Sequence, residues 1–342
     1  MRLTELALTE AVKTKAAALG FSRVAVGRVG APAHGAAFEQ WLQAGYGEGM
    51  PWLEDTRAER LDPARVLDGV RSAIVVALAY GPRDDGPSWS GVSRYARGAD
   101  YHEVMRPRLH VLRDYVSAAA GDEVRSRAAL DTSAVLERDI AAAAGLGWIG
   151  KNTNLIAPGA GSYFFIGTVL TTATLAPDGP IADHCGTCRA CLDACPTGAF
   201  PEPWVLDARR CLAYLTIEHR GDVPDDLKPA MRDWLFGCDV CQEVCPWNRK
   251  APPASESALA PSAPLPDLEA LLAMDDAAFR ARFRGTALRR AKRAGVARNA
   301  ALLLGNRGDA ASAPALRRAL HDPDEGVREA AAWALERLAS GH

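Results

Sequence analysis

Two kinds of apolar periodicity alternate over the first 180 residues. Residues 3–19 carry apolar side chains at helical spacing and stop at Gly20, and a strand is expected over Arg23–Val29. The uninterrupted apolar run Ala73–Tyr80 reads as a buried strand. A helix is expected from Glu103 to Ala119, a short strand at Ala128–Leu130, a helix over Val135–Ala144 and a strand over Ser162–Thr172. Strands alternating with helices predict an α/β domain over residues 1–180. Beyond it, residues 181–250 hold few apolar runs, and the Pro-, Ser- and Ala-rich stretch 251–267 reads as a linker.

The last segment, 268–342, is rich in Ala and Leu and repeats itself. Val296, Ala300 and Leu304 recur as Val327, Ala331 and Leu335. Between the two copies, His321-Asp322-Pro323-Asp324 supplies a cap and an early helical proline. This is the pattern of short HEAT-like helix pairs, which bury their faces by stacking.

Composition adds little to this picture. The chain has 342 residues, 48% hydrophobic and 24% charged, with net charge −2, so global charge attracts neither nucleic acid nor membrane. Eight apolar residues are too few to cross a bilayer, and Met1–Glu5 has acidic and helix-forming residues where a signal peptide would be apolar. A cytoplasmic location is expected, where thiols stay reduced and cysteines are better explained by metal than by disulfides.

All eight cysteines lie between Cys185 and Cys245. Cys185, Cys188, Cys191 and Cys195-Pro196 follow the bacterial ferredoxin spacing; Cys238, Cys241 and Cys245-Pro246 follow part of it, and Cys211 stands between. In such runs the cysteine before proline serves the other cluster. Cys185, Cys188 and Cys191 then share a cluster with Cys245, while Cys238, Cys241 and Cys195 take Cys211 as the fourth ligand. Two 4Fe-4S clusters use every thiol; two structural zinc sites of four thiolates each are the alternative.

Upstream, Asp131 in Asp131-Thr132-Ser133-Ala134-Val135-Leu136-Glu137-Arg138 follows an expected strand. It reads either as the N-cap of the next helix or as a buried acid whose pKa is raised by desolvation. The glycine-rich Gly145–Asn152 could let a cofactor approach its backbone. His102, in the mixed aromatic and basic stretch Ser93–His102, reads as an ordinary loop histidine.

These segments, taken in order, resemble the epoxyqueuosine reductases. The resemblance rests on SRYARGADYH at 93–102, DTSAVLER at 131–138, GLGWIGKNTNLI at 145–156, the cysteine pattern, CLAYLTIEHRG at 211–221 and the helical repeats. It implies an α/β N-terminal cobalamin-binding domain, a bacterial-ferredoxin-like domain with two 4Fe-4S clusters and C-terminal HEAT-like helices. The implied reaction reduces epoxyqueuosine to queuosine at the wobble position of tRNA, with electrons from an unidentified donor. It further implies that Asp131 donates the proton, that Arg57, Arg94, Asp131, Lys151 and Ala213 line the cobalamin, and that His219, Arg220 and Gly221 meet the tRNA. A D-x-H-x-x-G cobalamin-ligand motif does not occur at Asp100-Tyr101-His102.

Nine basic residues and no acidic one fall between Arg280 and Arg307, including Arg289, Arg290, Lys292, Arg293 and Arg298. Such a run in a chain of net charge −2 points to a surface for the phosphates of the anticodon stem-loop. A small-molecule reductive dehalogenase would share the clusters but leave this run unexplained. A non-catalytic electron carrier would leave the N-terminal domain unexplained. Nothing demands more than a monomer.

Overall fold

The computed structural model describes residues 4–82, 85–254 and 256–340. Its strands are β1 (Arg23–Arg28), β2 (Ser72–Ala79), β3 (Ser126–Ala129), β4 (Trp148–Ile149), β5 (Leu155–Ile156) and β6 (Phe164–Thr171). Four of them form one sheet in the order β1-β2-β6-β3, and β4 pairs with β5 as a small hairpin. Every pairing in the main sheet is antiparallel, with Ile74 of β2 opposite Val26 on one side and Val169 on the other. The alternation of strands and helices along the chain is as expected. Strand direction is not encoded in that alternation, because the connections are long enough to return a strand either way.

β2 is an apolar run because both of its faces are covered. Ile74, Val76 and Leu78 pack with Leu8, Val12, Leu109 and Leu112 of the helices Glu5–Ala18 and Tyr101–Ala120. The intervening Ala73, Val75 and Ala77 face Ile140 and Ala141 of the helix Glu137–Ala143. A two-residue period thus splits one strand between two layers.

The cysteine segment contains only short helices, Ala190–Asp193, Leu212–Ile217 and Val240–Glu243. The C-terminal helices Lys292–Arg307 and Glu325–Ser340 carry the repeat, and Val296, Ala300, Leu304, Val327 and Ala331 are all buried in one core. That core continues into the cysteine segment through Leu212 and Leu215, and into the N-terminal domain through Trp89, Val92 and Ala96.

Residues 251–267 differ from the expected linker. Leu259 is buried, and its backbone packs so tightly on Gly98 that a Cβ there would lie 2.2 Å from it. Gly81 meets the Pro252 carbonyl in the same way. The stretch is a fixed strap across the N-terminal domain. Low apolar content suggested a free linker because its anchoring is made largely by backbone.

Two members of the basic run are also structural. Arg298 is 2% exposed and donates to the carbonyls of Leu215 (2.5 Å), His219 (3.0 Å) and Gly221 (2.8 Å). Its neighbour Asn299 donates to Thr216 and Leu235. Arg293 makes a two-pronged pair with Asp322 at 2.7 and 2.8 Å. Neither side chain is available to a phosphate; a charge count cannot distinguish a guanidinium facing water from one facing carbonyls. Arg298→Ala would leave several buried acceptors without a donor and should cost about 3 kcal/mol of unfolding free energy in urea titrations.

Candidate active site and cluster-binding cysteines

Cys185, Cys188, Cys191 and Cys245 line one cavity of about 110 Å³, together with Lys151, His184 and Trp247. This is the three-plus-one set expected from the proline rule. The Cys191 thiol feels the charges of Cys245 and Cys185, and Cys238 those of Cys211 and Cys195. Cys191 and Cys238 thus neighbour thiols of their own expected sets, and the two sets lie close enough that Cys241 also feels the charge of Cys191. They ring their sites rather than converge on a point: among the described residues, no three His, Cys, Asp or Glu side chains meet at a single-ion position.

Burial raises Cys185, Cys191, Cys211 and Cys245 above the ordinary thiol pKa, Cys238 to about 12 and Cys241 well above its usual range. Thiolates in such surroundings need iron to stabilise their charge. The arrangement fits cluster ligation. Around the first set, the rings of Trp148, His184 and Trp247 stand 4.8–5.8 Å apart and shield the site.

The glycines of segment 145–152 allow close backbone packing within the chain. A Cβ on Gly145 would lie 2.1 Å from the Gly179 carbonyl, and one on Gly147 2.2 Å from that of Ile156. Lys151 Nζ donates to the carbonyls of Gly186 (2.6 Å) and Cys188 (3.0 Å), inside the first cysteine loop. Asn152 donates to the Cys241 carbonyl at 3.2 Å. This segment clamps both cysteine loops to the N-terminal domain, which commits the Lys151 ammonium to the cluster loop.

Asp131 follows β3, with a φ of +48° that asparagine and aspartate tolerate better than most residues. It is not an N-cap: the following helix begins at Glu137, capped by Leu136. Instead Glu137 reaches back, its Oε1 accepting the Asp131 N–H at 2.6 Å. The Asp131 carboxylate is 58% exposed and lies 3.6 Å from His102 Nε2. His102 opens the helix Tyr101–Ala120, where the N-cap Asp100 holds its Nδ1 at 2.8 Å. Asp100, His102 and Asp131 thus form a chain of alternating charge.

The protonation states differ from the expected neutral acid. Surrounding protein desolvates Asp131 and pushes its pKa up, but the contacts with His102 and Tyr101 outweigh this and hold it below the ordinary value. The pairing with Asp100, then with Asp131, raises His102 to about 9 against its burial. Desolvation and the charge of Asp131 raise Glu137 to about 8. Near neutrality the stored protons sit on His102 and Glu137, behind an ionised Asp131. Spacing could not reveal this, because His102 and Asp131 meet only in the folded chain.

The other residues expected around a cofactor are dispersed. Arg57 pairs with Glu39 and, at 3.6 Å, with Glu54. Arg60, for which the sequence suggested no role, donates to the Val135 carbonyl at 3.2 Å and faces Glu137 and Asp131. The Arg94 backbone N–H donates to Asp239, and its guanidinium stands 3.5 Å from Glu243. Ala213 is half-buried in the helix after Cys211, whose thiol feels the charge of Arg138.

Near the C-terminal helices, His219 Nε2 contacts the Asp222 carbonyl at 2.6 Å, and Arg220 donates to the Arg290 carbonyl at 2.9 Å. Gly221 is exposed at φ +86°, where a side chain would be strained. Arg290 Nε donates to Glu218 at 2.8 Å, and its charge reaches Asp131. Arg280, Arg284, Arg289 and Lys292 remain exposed.

Two outcomes follow. Replacing His102 with Gln removes a group whose folded pKa is raised, so the wild type's added stability should be complete from about pH 5 to 6.5 and vanish as pH rises through about 9. Paired denaturation curves across that range read the difference. Cys211→Ser should lower bound iron from about eight to about four atoms per chain, measured by iron analysis after anaerobic reconstitution.

Known proteins share these features. A family model described as epoxyqueuosine reductase QueG, DUF1730, matches residues 60–132. A 4Fe-4S double cluster binding domain matches residues 184–248, and HEAT repeats match 281–341. The chain is 40% identical over 341 residues to an epoxyqueuosine reductase of Pseudomonas aeruginosa, covering 96% of this chain and 94% of that protein. It is 44% identical over 310 residues to the one from Gloeobacter violaceus, covering 87% and 96%. A Bacillus subtilis epoxyqueuosine reductase, solved with its catalytic loop swung out of the active site, aligns with TM-score 0.88 at 30% identity. An epoxyqueuosine reductase solved with an epoxyqueuosine-modified tRNA-Tyr stem loop aligns with TM-score 0.85 at 30% identity. Each structural match covers 97% of this chain and 90% of the other. Identity of this degree along nearly the whole length makes the chain a member of the epoxyqueuosine reductase family and an oxidoreductase.

Proposed function

We propose that this chain reduces epoxyqueuosine to queuosine in the wobble position of tRNA, with electrons passing through both clusters to cobalamin and a proton delivered at Asp131. Opening the epoxide to an alkene consumes two electrons and two protons and releases water. The observation that carries the reading is the accessible Asp131 carboxylate, 3.6 Å from a proton-holding His102.

The recess suits a large redox group. Asp131 stays accessible although Tyr101, His102, Glu137 and Arg60 surround it, and Arg138 ties its segment to the Thr153 carbonyl while its charge reaches Cys211. Asp131, Arg60 and Ala213 are the residues that would border such a group. When bound, cobalamin supplies a metal that accepts single electrons and delivers two to carbon. The protein's own part is to hold the proton. Asp131, ionised at rest, relays to the departing oxygen a proton taken from His102, whose ring Asp100 keeps in place. One-electron steps between the clusters match a two-electron reaction delivered in halves.

The exposed Arg280, Arg284, Arg289 and Lys292 support an RNA partner, since phosphate recognition needs accessible cations. The wobble base would leave the anticodon stack to enter the recess. Asp131→Asn keeps the shape and removes the proton route. It should retain both clusters yet lower turnover by about a hundredfold or more, read by mass spectrometry of tRNA nucleosides after anaerobic reduction. Turnover at the wild-type rate would take Asp131 out of the role. Failure of the wild type to consume epoxyqueuosine would remove the whole reading.

A further inference from the structure

Two tryptophans, Trp52 and Trp204, belong to the few large apolar side chains left exposed. Trp204 has a local explanation: its indole N–H donates to the Ile149 carbonyl, and Lys151 lies over its ring. Trp52 has a different setting. It lies in the first turn of the short helix Pro51–Asp55, far in sequence from Asp131 and the clusters. The Arg290 guanidinium stands 5.2 Å from its ring centroid, and the residue remains 36% exposed with that contact made.

Arg290 connects this ring to the reaction site. It is held by Glu218 through Nε at 2.8 and 3.0 Å, and its charge bears on both Asp131 and Tyr101. Three parts of the chain therefore meet at the rim of the recess. The nearby acid Glu54 is 3.6 Å from Arg57, which offsets its charge, while Arg289 and Lys292 on the Arg290 side are exposed. An indole backed by a guanidinium and flanked by accessible cations is a surface that favours an unpaired nucleobase attached to phosphates. A base paired in a duplex offers no free face to it.

We propose that Trp52, backed by Arg290, is a stacking platform for an unpaired base of the RNA loop, next to the nucleotide that enters the Asp131 recess. This rests on the tRNA reading above. It adds a binding residue from the N-terminal domain to a surface otherwise built from the C-terminal helices and the 219–221 loop. The base is held by its π-face, so the platform tolerates different bases and selects for single-stranded geometry.

The test uses the cluster-loaded full chain and a synthetic anticodon stem-loop RNA. Trp52→Ala should weaken binding about tenfold, and Trp52→Phe should stay within about threefold of wild type, since a phenyl ring still stacks. Adding the RNA should quench tryptophan emission in the wild type by more than in Trp52→Phe, and this difference decides the matter if Trp52→Ala loses its clusters. Equal affinity of Trp52→Ala and wild type would overturn the proposal, as would equal quenching with and without Trp52. If the wild type itself does not bind the stem-loop, the tRNA reading falls and this site falls with it.

Discussion

A thiolate cannot be enclosed by protein without a counter-charge, and the middle of this chain gathers eight cysteines, seven of them buried or half-buried. That constraint organises the molecule. Around the cysteines themselves the segment 185–245 has few buried apolar side chains, while its stretch Leu212–Phe236 joins the C-terminal core. The peptide around the cysteines must then be fixed from outside. Lys151 and Asn152 do this from the N-terminal domain by donating to carbonyls in the two cysteine loops. Arg298 and Asn299 do it from the C-terminal helices by donating to Leu215, Thr216, His219, Gly221 and Leu235. The cluster region is held by cationic and amide donors reaching into it from both sides, with apolar contact as a supplement.

The same logic runs through the recess. An ionised Asp131 survives there because His102 is charged, and His102 is charged because Asp100 stands behind it. Glu137 commits its carboxyl to the Asp131 backbone, which steadies the left-handed turn there. Chemistry at such a site depends less on one residue with a shifted pKa than on the order in which charges are stacked.

How much of this could be read from the chain varied with the physics involved. Cysteine spacing is a local code, and it sorted the thiols into the sets that the cavity and the neighbouring charges also define. The buried strand at Ala73–Tyr80 and the repeat at Val296 and Val327 were equally legible, because each is written within short stretches of the chain. Strand direction was not, nor was the fastening of the 251–267 strap, which depends on backbone and on glycines at Gly81 and Gly98. Charge proved the least legible property. Arg293 and Arg298 look like Arg289 in a one-dimensional count, yet the first two face a carboxylate and carbonyls, and the third faces water. His102, Glu137 and Arg60 went unrecognised because their partners are supplied by other segments.

The fastening of Arg298 to the 219–221 loop has a mechanical consequence. The helices that carry the exposed cations and the loop beside the clusters are cross-linked by buried donors, so they form one unyielding jaw. A jaw of that kind cannot close around its substrate by bending. On the proposed tRNA reading, the distortion that brings a nucleotide to Asp131 would be borne by the RNA. Discrimination among RNAs would then reflect how readily each loop opens, in addition to the letters it displays.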